Sequence, residues 1–142
     1  MTRRAFTLIE IMVVVAIVIV LITLAVPNIL RSRIVANEGA ALANLRAINN
    51  ACQVYHVNDQ SYPVNLTTLS SSTPPYIDSA LGAGQKQGYA FVYALVDSDH
   101  FTVNANSTNT GLLKGRYFYL DESGIIRVNA TSQAGPNDPI VN

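Results

Sequence analysis

The sequence lacks most of the residues from which covalent or metal-dependent sites are built. Its 142 residues include one cysteine, no tryptophan and only two histidines. A single cysteine cannot close an internal disulfide, so we interpret Cys52 as a small apolar residue of a helix. The scarcity of histidine and cysteine also excludes the ligand spacings that are typical of zinc sites.

An excess of charge of one sign is missing as well. Nine basic residues balance nine acidic ones, whereas a nucleic-acid-binding domain carries a basic patch. The chain has no phosphate-binding loop and no nucleotide fingerprint. Ser98, Asp99 and His100 are adjacent, but adjacency in sequence does not assemble a catalytic triad. We therefore expect no nucleic-acid partner, no catalytic residues and no cofactor.

A long apolar run near the N-terminus is the most prominent feature present. Between Ile11 and Val26 only Thr23 is polar, and Arg3 and Arg4 precede the run. A helix over residues 6–26 would be about 30 Å long, which matches the hydrocarbon core of a bilayer. The sequence therefore predicts a transmembrane helix followed by a more polar region.

Two ordinary explanations of this run leave something unexplained. A secretory signal peptide would use Arg3 and Arg4 as its charged region, but the run exceeds the usual apolar length of about 7–15 residues and no A-x-A cleavage site ends it. A plain membrane anchor explains the length but not Glu10, because a carboxylate at the centre of a membrane costs about 2.5–3.5 kcal/mol.

A third interpretation accounts for the carboxylate. The basic leader, the motif Phe6-Thr7-Leu8-Ile9-Glu10 and the apolar run that ends at Pro27 resemble the type IV prepilin family. The resemblance is strong over residues 3–27 and looser beyond them. It implies that a prepilin peptidase cuts between Ala5 and Phe6 and then methylates the new amino group of Phe6. The family usually has Gly before the cut, and Ala5 is the next smallest side chain.

The resemblance also implies a role for Glu10 and a set of partners. Glu10 would pair with the amine of Phe6, either its own or, as the family model prefers, that of a neighbouring subunit. The alternative is that Glu10 is only a carboxylate at a helix N-terminus, where the helix dipole favours it. The implied partners are further copies of the chain in a homopolymeric filament, the peptidase, the inner membrane, and a pilus or type II secretion assembly platform. The leader would stay in the cytoplasm, with the head in the periplasm.

Several functions share this architecture. The chain is interpreted as a structural subunit of a type IV pilus, or fimbrium, with the major pseudopilin of a type II secretion system and a competence pseudopilin as alternatives. A membrane-anchored periplasmic binding module that never polymerises is a further alternative, although a simple anchor has no use for Glu10.

The stem is predicted to continue as a helix beyond the membrane. We divide the chain into a leader over residues 1–5, an apolar helix over 6–27, an amphipathic second half over 28–59 and a head over 60–142. Pro27 removes a backbone donor, which predicts a kink or a locally melted stretch at residues 24–28. Arg31, Arg33 and Glu38 are expected to be solvated, with charge contacts between stems as the alternative. The helix should end near Asn58-Asp59. Residues at intervals of three and four form one apolar face of this second half: Ala41, Leu45, Ile48, Cys52 and Tyr55.

The head is predicted to be a small antiparallel sheet, which makes the fold class α+β. A short helix is expected within residues 61–69 and loops over 70–75 and 82–88, followed by four strands over 89–95, 101–105, 117–120 and 125–128. Gly124 should supply the positive φ of the last hairpin. The last dozen residues should be loosely held.

Calcium is the one ligand that the resemblance suggests. Major pseudopilins of type II secretion bind it near the end of the head, and Asp121, Glu122 and Asp138 are the candidate ligands here, since calcium prefers oxygen donors. Turn formation and solvation explain these carboxylates more simply.

Overall fold

The computed structural model describes residues 6–111 and 114–141. In these residues a long helix carries a head made of one sheet and two short helices, which confirms the predicted α+β class. The helices are α1 (Leu8–Asp59), α2 (Leu66–Ser71) and α3 (Ser79–Gly82), and the strands are β1 (Gln85–Lys86), β2 (Tyr89–Leu95), β3 (Phe101–Ser107), β4 (Tyr117–Asp121) and β5 (Ile126–Asn129).

Helix α1 is continuous over 52 residues and contains Pro27 in its interior. The melted stretch predicted for residues 24–28 is therefore wrong, and a kink at Pro27 stays a prediction. Polar side chains on either side of the proline hydrogen-bond to the helix backbone: Thr23 Oγ1 donates to the Ile19 carbonyl at 2.8 Å and Asn28 Nδ2 to the Leu24 carbonyl at 3.4 Å. Both bonds go to carbonyls other than that of Thr23, which is the one that loses its helical donor at Pro27.

The end of α1 lies where the sequence predicts it. The helix ends at Asp59, and Gln60 follows with φ 56° while its N–H donates to the carbonyl of His56. A left-handed residue after the last helical turn is a common helix terminus. The turn residues that follow then direct the chain back toward the sheet.

The sheet is an antiparallel meander in the order β1-β2-β3-β4-β5. It has five strands rather than the predicted four, because Gln85 and Lys86 pair with the start of β2 within a segment predicted to be a loop. Gln87 (φ 50°) and Gly88 (φ 76°) make the turn between them, as a tight hairpin requires. A two-residue strand is too short to show alternation in the sequence. Gly124 has φ 75°, as predicted.

The second half of α1 packs on one face of the sheet. Ala41, Leu45, Ile48 and Cys52 are at most 1% exposed, and Tyr55 is partly buried against the same core. This confirms the predicted apolar face. The sheet contributes Phe101, Val103, Phe118 and Leu120, all of them fully buried. Burial of Cys52 raises the pKa of its thiol to about 12, so the thiol stays protonated and unreactive at neutral pH.

Glu38 is not solvated, contrary to the sequence-based expectation. It is 8% exposed and faces the start of β4, where its Oε1 accepts the backbone N–H of Arg116 at 2.9 Å. Its Oε2 accepts from Arg116 Nε at 3.0 Å and lies 2.9 Å from Nη2. Tyr89 donates its hydroxyl to the Arg116 carbonyl at 2.8 Å. This group of bonds joins α1 to the sheet at the end of the head nearest the apolar stem.

The described C-terminal residues are held against the sheet, so the prediction of a loose end is wrong for residues 134–141. Val128 N–H donates to the Pro139 carbonyl and Val141 N–H to the Ile126 carbonyl, both at 2.9 Å. Ala134 is 4% exposed. The segment therefore covers the outer edge of β5, and edge strands that are covered in this way cannot pair with other chains.

The Glu38–Arg116 contact predicts a specific loss of stability. Glu38→Gln keeps the size of the side chain but leaves the Arg116 guanidinium without its counter-charge. Because the Arg116 side chain is 48% exposed, water compensates in part, and we expect the free energy of unfolding to fall by about 2 kcal/mol. Urea unfolding of the detergent-solubilised chain, followed by tyrosine near-UV circular dichroism, measures this change.

Glu122→Gln is the matched control, because its carboxylate lies 4.0 Å from its nearest cationic partner, His100. We expect a change of less than about 0.5 kcal/mol for this variant. Equal losses in the two variants would contradict the role assigned to Glu38.

Candidate functional site

The first half of α1 projects from the head as a bare apolar rod. Every large apolar side chain from Leu8 to Ile29 is at least 45% exposed. An 18-residue window of the helix has a mean hydropathy of 3.1 with none of it buried, so by length and composition α1 could cross a membrane. A signal sequence would meet the same criterion. Here, however, the same unbroken helix goes on to bury its second half in the head.

Glu10 forms a reciprocal cap with Thr7 at the start of this rod. Thr7 donates its backbone N–H and its hydroxyl to Glu10 Oε2 at 2.9 and 2.7 Å, and its hydroxyl oxygen accepts the Glu10 N–H at 3.4 Å. This is a capping box, which satisfies backbone donors at a helix start. Both Thr7 bonds use Oε2, and within the described residues Oε1 has no hydrogen-bond donor. The carboxylate therefore keeps one oxygen for a further cation.

The surroundings of Glu10 are otherwise apolar. It borders a shallow groove whose other walls are Phe6, Ile9, Val13 and Val14. Phe6 is 75% exposed and precedes the capping residue, so the predicted new N-terminus would lie within one turn of Glu10. Ala5, on the other side of the predicted cut, and the rest of the leader over residues 1–5 lie outside the described residues.

The far end of the head collects both histidines of the chain, which the sequence did not reveal. His56, near the end of α1, lies 3.2 Å from Asp99 Oδ1 in the turn between β2 and β3. In the same turn His100 Nδ1 lies 2.7 Å from Asp97 Oδ1, and His100 Nε2 lies 4.0 Å from Glu122 in the next turn. The only available signal was the presence of acidic residues beside His100 in the sequence.

The neighbouring Ser98, Asp99 and His100 do not form a catalytic arrangement. The Ser98 hydroxyl donates to Asp99 Oδ2 at 3.0 Å, while His100 turns to Asp97 instead. A nucleophile needs its base within hydrogen-bond reach, and Ser98 and His100 have separate partners. The geometry thus indicates that these residues have a structural role in the turn.

The candidate calcium ligands are not brought together. Asp121 ends β4 and accepts the Ser123 N–H at 3.1 Å, whereas Asp138 accepts from Asn129 Nδ2 at 3.0 Å and from Gly135 N–H at 2.8 Å. Asn129 pairs with Tyr117, at the opposite end of β4 from Asp121. In residues 6–111 and 114–141 there is no group of three or more His, Cys, Asp or Glu side chains arranged to hold a metal ion.

The Asp97–His100 pair makes the far end of the head sensitive to pH. The N–H of Asp99 and the imidazole of His100 lower the pKa of Asp97 below its ordinary 3.8. The hydrogen bond with Asp97 raises the pKa of His100 above its ordinary 6.5. The contribution of His100 to stability is complete below pH 6.5 and is lost as the pH rises through its raised pKa. That of Asp97 is complete above pH 3.8 and is lost as the pH falls through its lowered pKa.

This assignment can be checked by NMR titration of the histidine ring signals. We expect His100 to titrate above 6.5 in the native chain, and Asp97→Asn to shift its pKa back toward 6.5, because the anionic acceptor is removed. Asp59→Asn, which changes an exposed carboxylate with no bond to this ring, should leave the His100 pKa unchanged. A His100 pKa that does not respond to Asp97→Asn would show that the pair does not form in solution.

Comparisons with known proteins agree with the geometry of the N-terminal half. Residues 1–26 match the family model for the prokaryotic N-terminal methylation motif. Type II secretion system core protein G of Escherichia coli K12 is 34% identical over 88 residues, which is 61% of each chain. The type IV wide pilus major component PilA4 of Thermus thermophilus is 29% identical over 93 residues, covering 63% of this chain and 71% of the relative.

The likeness is concentrated in part of each protein. Core protein G of Vibrio cholerae is 38% identical over 61 residues, which is 43% of this chain and 42% of the relative. The chain thus spans less than two thirds of the length of the Escherichia coli relative, and no solved structure matches it significantly. With the methylation motif over residues 1–26 and the α+β fold, these relatives show that the chain is similar to type IV pilins and type II secretion pseudopilins.

Proposed function

We propose that the chain is a structural subunit of a type IV pilus or a related filament, assembled through the apolar half of α1. The observation that carries this proposal is the bare apolar rod that begins with the methylation motif and continues into the core of the head. In water such a surface is unstable unless lipid or other apolar helices cover it. The inner membrane covers it before assembly, and neighbouring stems cover it in the filament.

The leader is removed before assembly. A prepilin peptidase on the cytoplasmic side cuts between Ala5 and Phe6 and methylates the amine of Phe6, while the head lies in the periplasm. Removal of a signal peptide after residue 26 would instead sever α1 in the middle of a continuous helix. The small side chain of Ala5 suits a peptidase pocket that ordinarily receives Gly.

Glu10 then pairs with the amine of Phe6 in a neighbouring subunit. Two observations support this role: Oε1 of the carboxylate has no hydrogen-bond donor in the part of the chain that the structure describes, and the walls of the groove are apolar. An unpaired carboxylate and an unpaired ammonium are both costly in an apolar core, and pairing them offsets that cost only when the two groups meet in register. The pair therefore favours one axial position of each added subunit.

A more specific alternative is that the filament is the pseudopilus of a type II secretion system, with this chain as its major pseudopilin. The names of several relatives, core protein G of such systems, support it. A competence pseudopilus would use the same subunit design. A binding module that is anchored but never polymerises is less well supported, since it leaves Glu10 without a function. In each case the chain acts as a structural protein and not as an enzyme, and it binds no cofactor.

Substitution of Glu10 separates its charge from its role in the helix cap. Glu10→Leu loses both, whereas Glu10→Gln retains the capping box, because Gln serves there as well as Glu. We expect both variants to insert in the membrane normally and both to form filaments at least about tenfold less often, the effect of losing a charge-assisted bond. Sheared and envelope-associated filaments are quantified by immunoblot and electron microscopy.

Thr7→Val is the matched control, since it removes the cap and keeps the charge. It should assemble within about threefold of the native chain, because a helix cap contributes only about 1 kcal/mol. Normal filaments from Glu10→Gln together with few filaments from Thr7→Val would assign Glu10 to helix capping and contradict the pairing.

A further inference from the structure

The acidic residues of the chain are concentrated at the end of the head farthest from the apolar stem. Five of the nine lie there. Asp59 is the last residue of α1, Asp97 and Asp99 lie in the turn that contacts His56, and Glu122 follows β4, where its carbonyl accepts from Gln53 Nε2 at 3.2 Å. With Asp121, the last residue of β4, these side chains are called the distal carboxylates below: Asp59, Asp97, Asp99, Asp121 and Glu122.

Three basic residues lie at the opposite end, where the head meets the stem. Arg31 and Arg33 are exposed residues of α1, and Lys114 is an exposed residue that precedes the Glu38–Arg116 contact. Within residues 6–111 and 114–141 none of the three has a carboxylate within 4.0 Å. These three residues are called the proximal cations.

The orientation of Arg31 makes it part of the underside of the head. It stands seven residues before Glu38, and the buried Leu45 and Cys52 follow Glu38 at successive intervals of seven. Residues seven apart lie on nearly the same face of an α-helix. Arg31 therefore points to the side of α1 that carries the head and lies just below it, whereas Arg33 lies on another face.

The two charged ends are separated along a rigid helix. Between residues 31–33 and residues 53–59 there are 20 to 28 helical residues, which correspond to about 30–40 Å at 1.5 Å each. No side chain spans that distance, so the two ends of one head cannot neutralise each other. They can do so only between copies. A contact between two different surfaces of the same chain does not close into a ring when each copy is displaced along the helix axis, and it then gives a filament.

We propose that the distal carboxylates of one copy contact the proximal cations of a second copy that is displaced by about 30–40 Å along the helix axis. The proposal rests on the proposed function, because it names the partner and the register of heads within the filament. The occupant of the proximal cations is a second copy because the same chain presents the complementary charge. Opposite charges arranged in this way steer association and fix register more than they add affinity.

Charge reversal at each end, singly and together, tests this contact in the full-length chain. The proximal variant carries Arg31→Glu, Arg33→Glu and Lys114→Glu, and the distal variant carries Asp59→Lys, Asp121→Lys and Glu122→Lys. The distal variant keeps the contacts of Asp97 with His100 and of Asp99 with His56. Each alone places like charges in contact, and we expect about tenfold fewer filaments at low ionic strength. The chain that carries all six substitutions has a net negative proximal end and a net positive distal end, so its ends are complementary again, and its filament yield should return to within about threefold of native.

Arg46→Glu is the matched control, because Arg46 is an exposed cation of α1 between the two ends, and its reversal should leave the yield unchanged. A chain with Arg31→Cys and Asp97→Cys should form a ladder of disulfide-linked multimers in the membrane fraction on oxidation. The native Cys52 is fully buried and does not compete. Arg46→Cys with Asp97→Cys should give no ladder.

The outcomes separate this inference from the proposed function. Native filaments together with reversal variants that assemble normally would overturn the contact and leave the filament function intact. Loss of membrane-inserted chain in the proximal variant, without recovery in the chain that carries all six substitutions, would assign Arg31 and Arg33 to lipid headgroups and also overturn it. Absence of filaments from the native chain would instead contradict the proposed function itself.

Discussion

Helix α1 is one unbroken helix whose two halves lie in different environments. Its second half buries one apolar face against the sheet of its own head, whereas its first half buries nothing. The first half is therefore stable only in contact with lipid or with other stems. Because the two halves are one rigid element, whatever covers the stem also positions the head. This constraint is why the positions along α1 of the capping box, the Glu38–Arg116 ion pair and the two charged ends matter.

The contacts within the head hold it in one orientation on the helix. At the stem end, Glu38 accepts both the backbone N–H and the guanidinium of Arg116, 78 residues away in sequence. At the far end, the turns after β2 and β4 approach α1 through His56 and Gln53. Packed apolar side chains fill the space between. A head that is held at both ends can transmit its position along a filament, because it does not rotate about the helix.

The local parts of this structure could be predicted from the sequence. The apolar run, the spacing of Ala41, Leu45, Ile48 and Cys52, and the alternation in the longer strands each depend on neighbouring residues, and all lie where they were expected. Glu38 was misassigned because its partner is remote in sequence. The covered edge of β5 was missed because it depends on backbone bonds from a segment with Gly and Pro, which carries no periodic pattern.

The site itself was predictable only in part. The capping box was not predicted, although Thr7 and Glu10 have the spacing of three residues that such a cap requires, and the structure forms it. Counting the charged residues of the chain could not reveal the two charged ends, because the net charge is +0. The charges separate only when the turns after β2 and β4 fold to the same end of α1, and the sequence contains no local signal for that arrangement.

The most direct test of the account is the mass of the N-terminal peptide of the chain recovered from membranes and sheared filaments. The account predicts a mature chain that begins at a methylated Phe6, so that the amine and Glu10 share one helical turn. A chain that begins at Met1 or Thr2 would show an uncut anchor, and one that begins after residue 26 would show an ordinary signal peptide. Either of these results would contradict assembly through a processed pilin N-terminus.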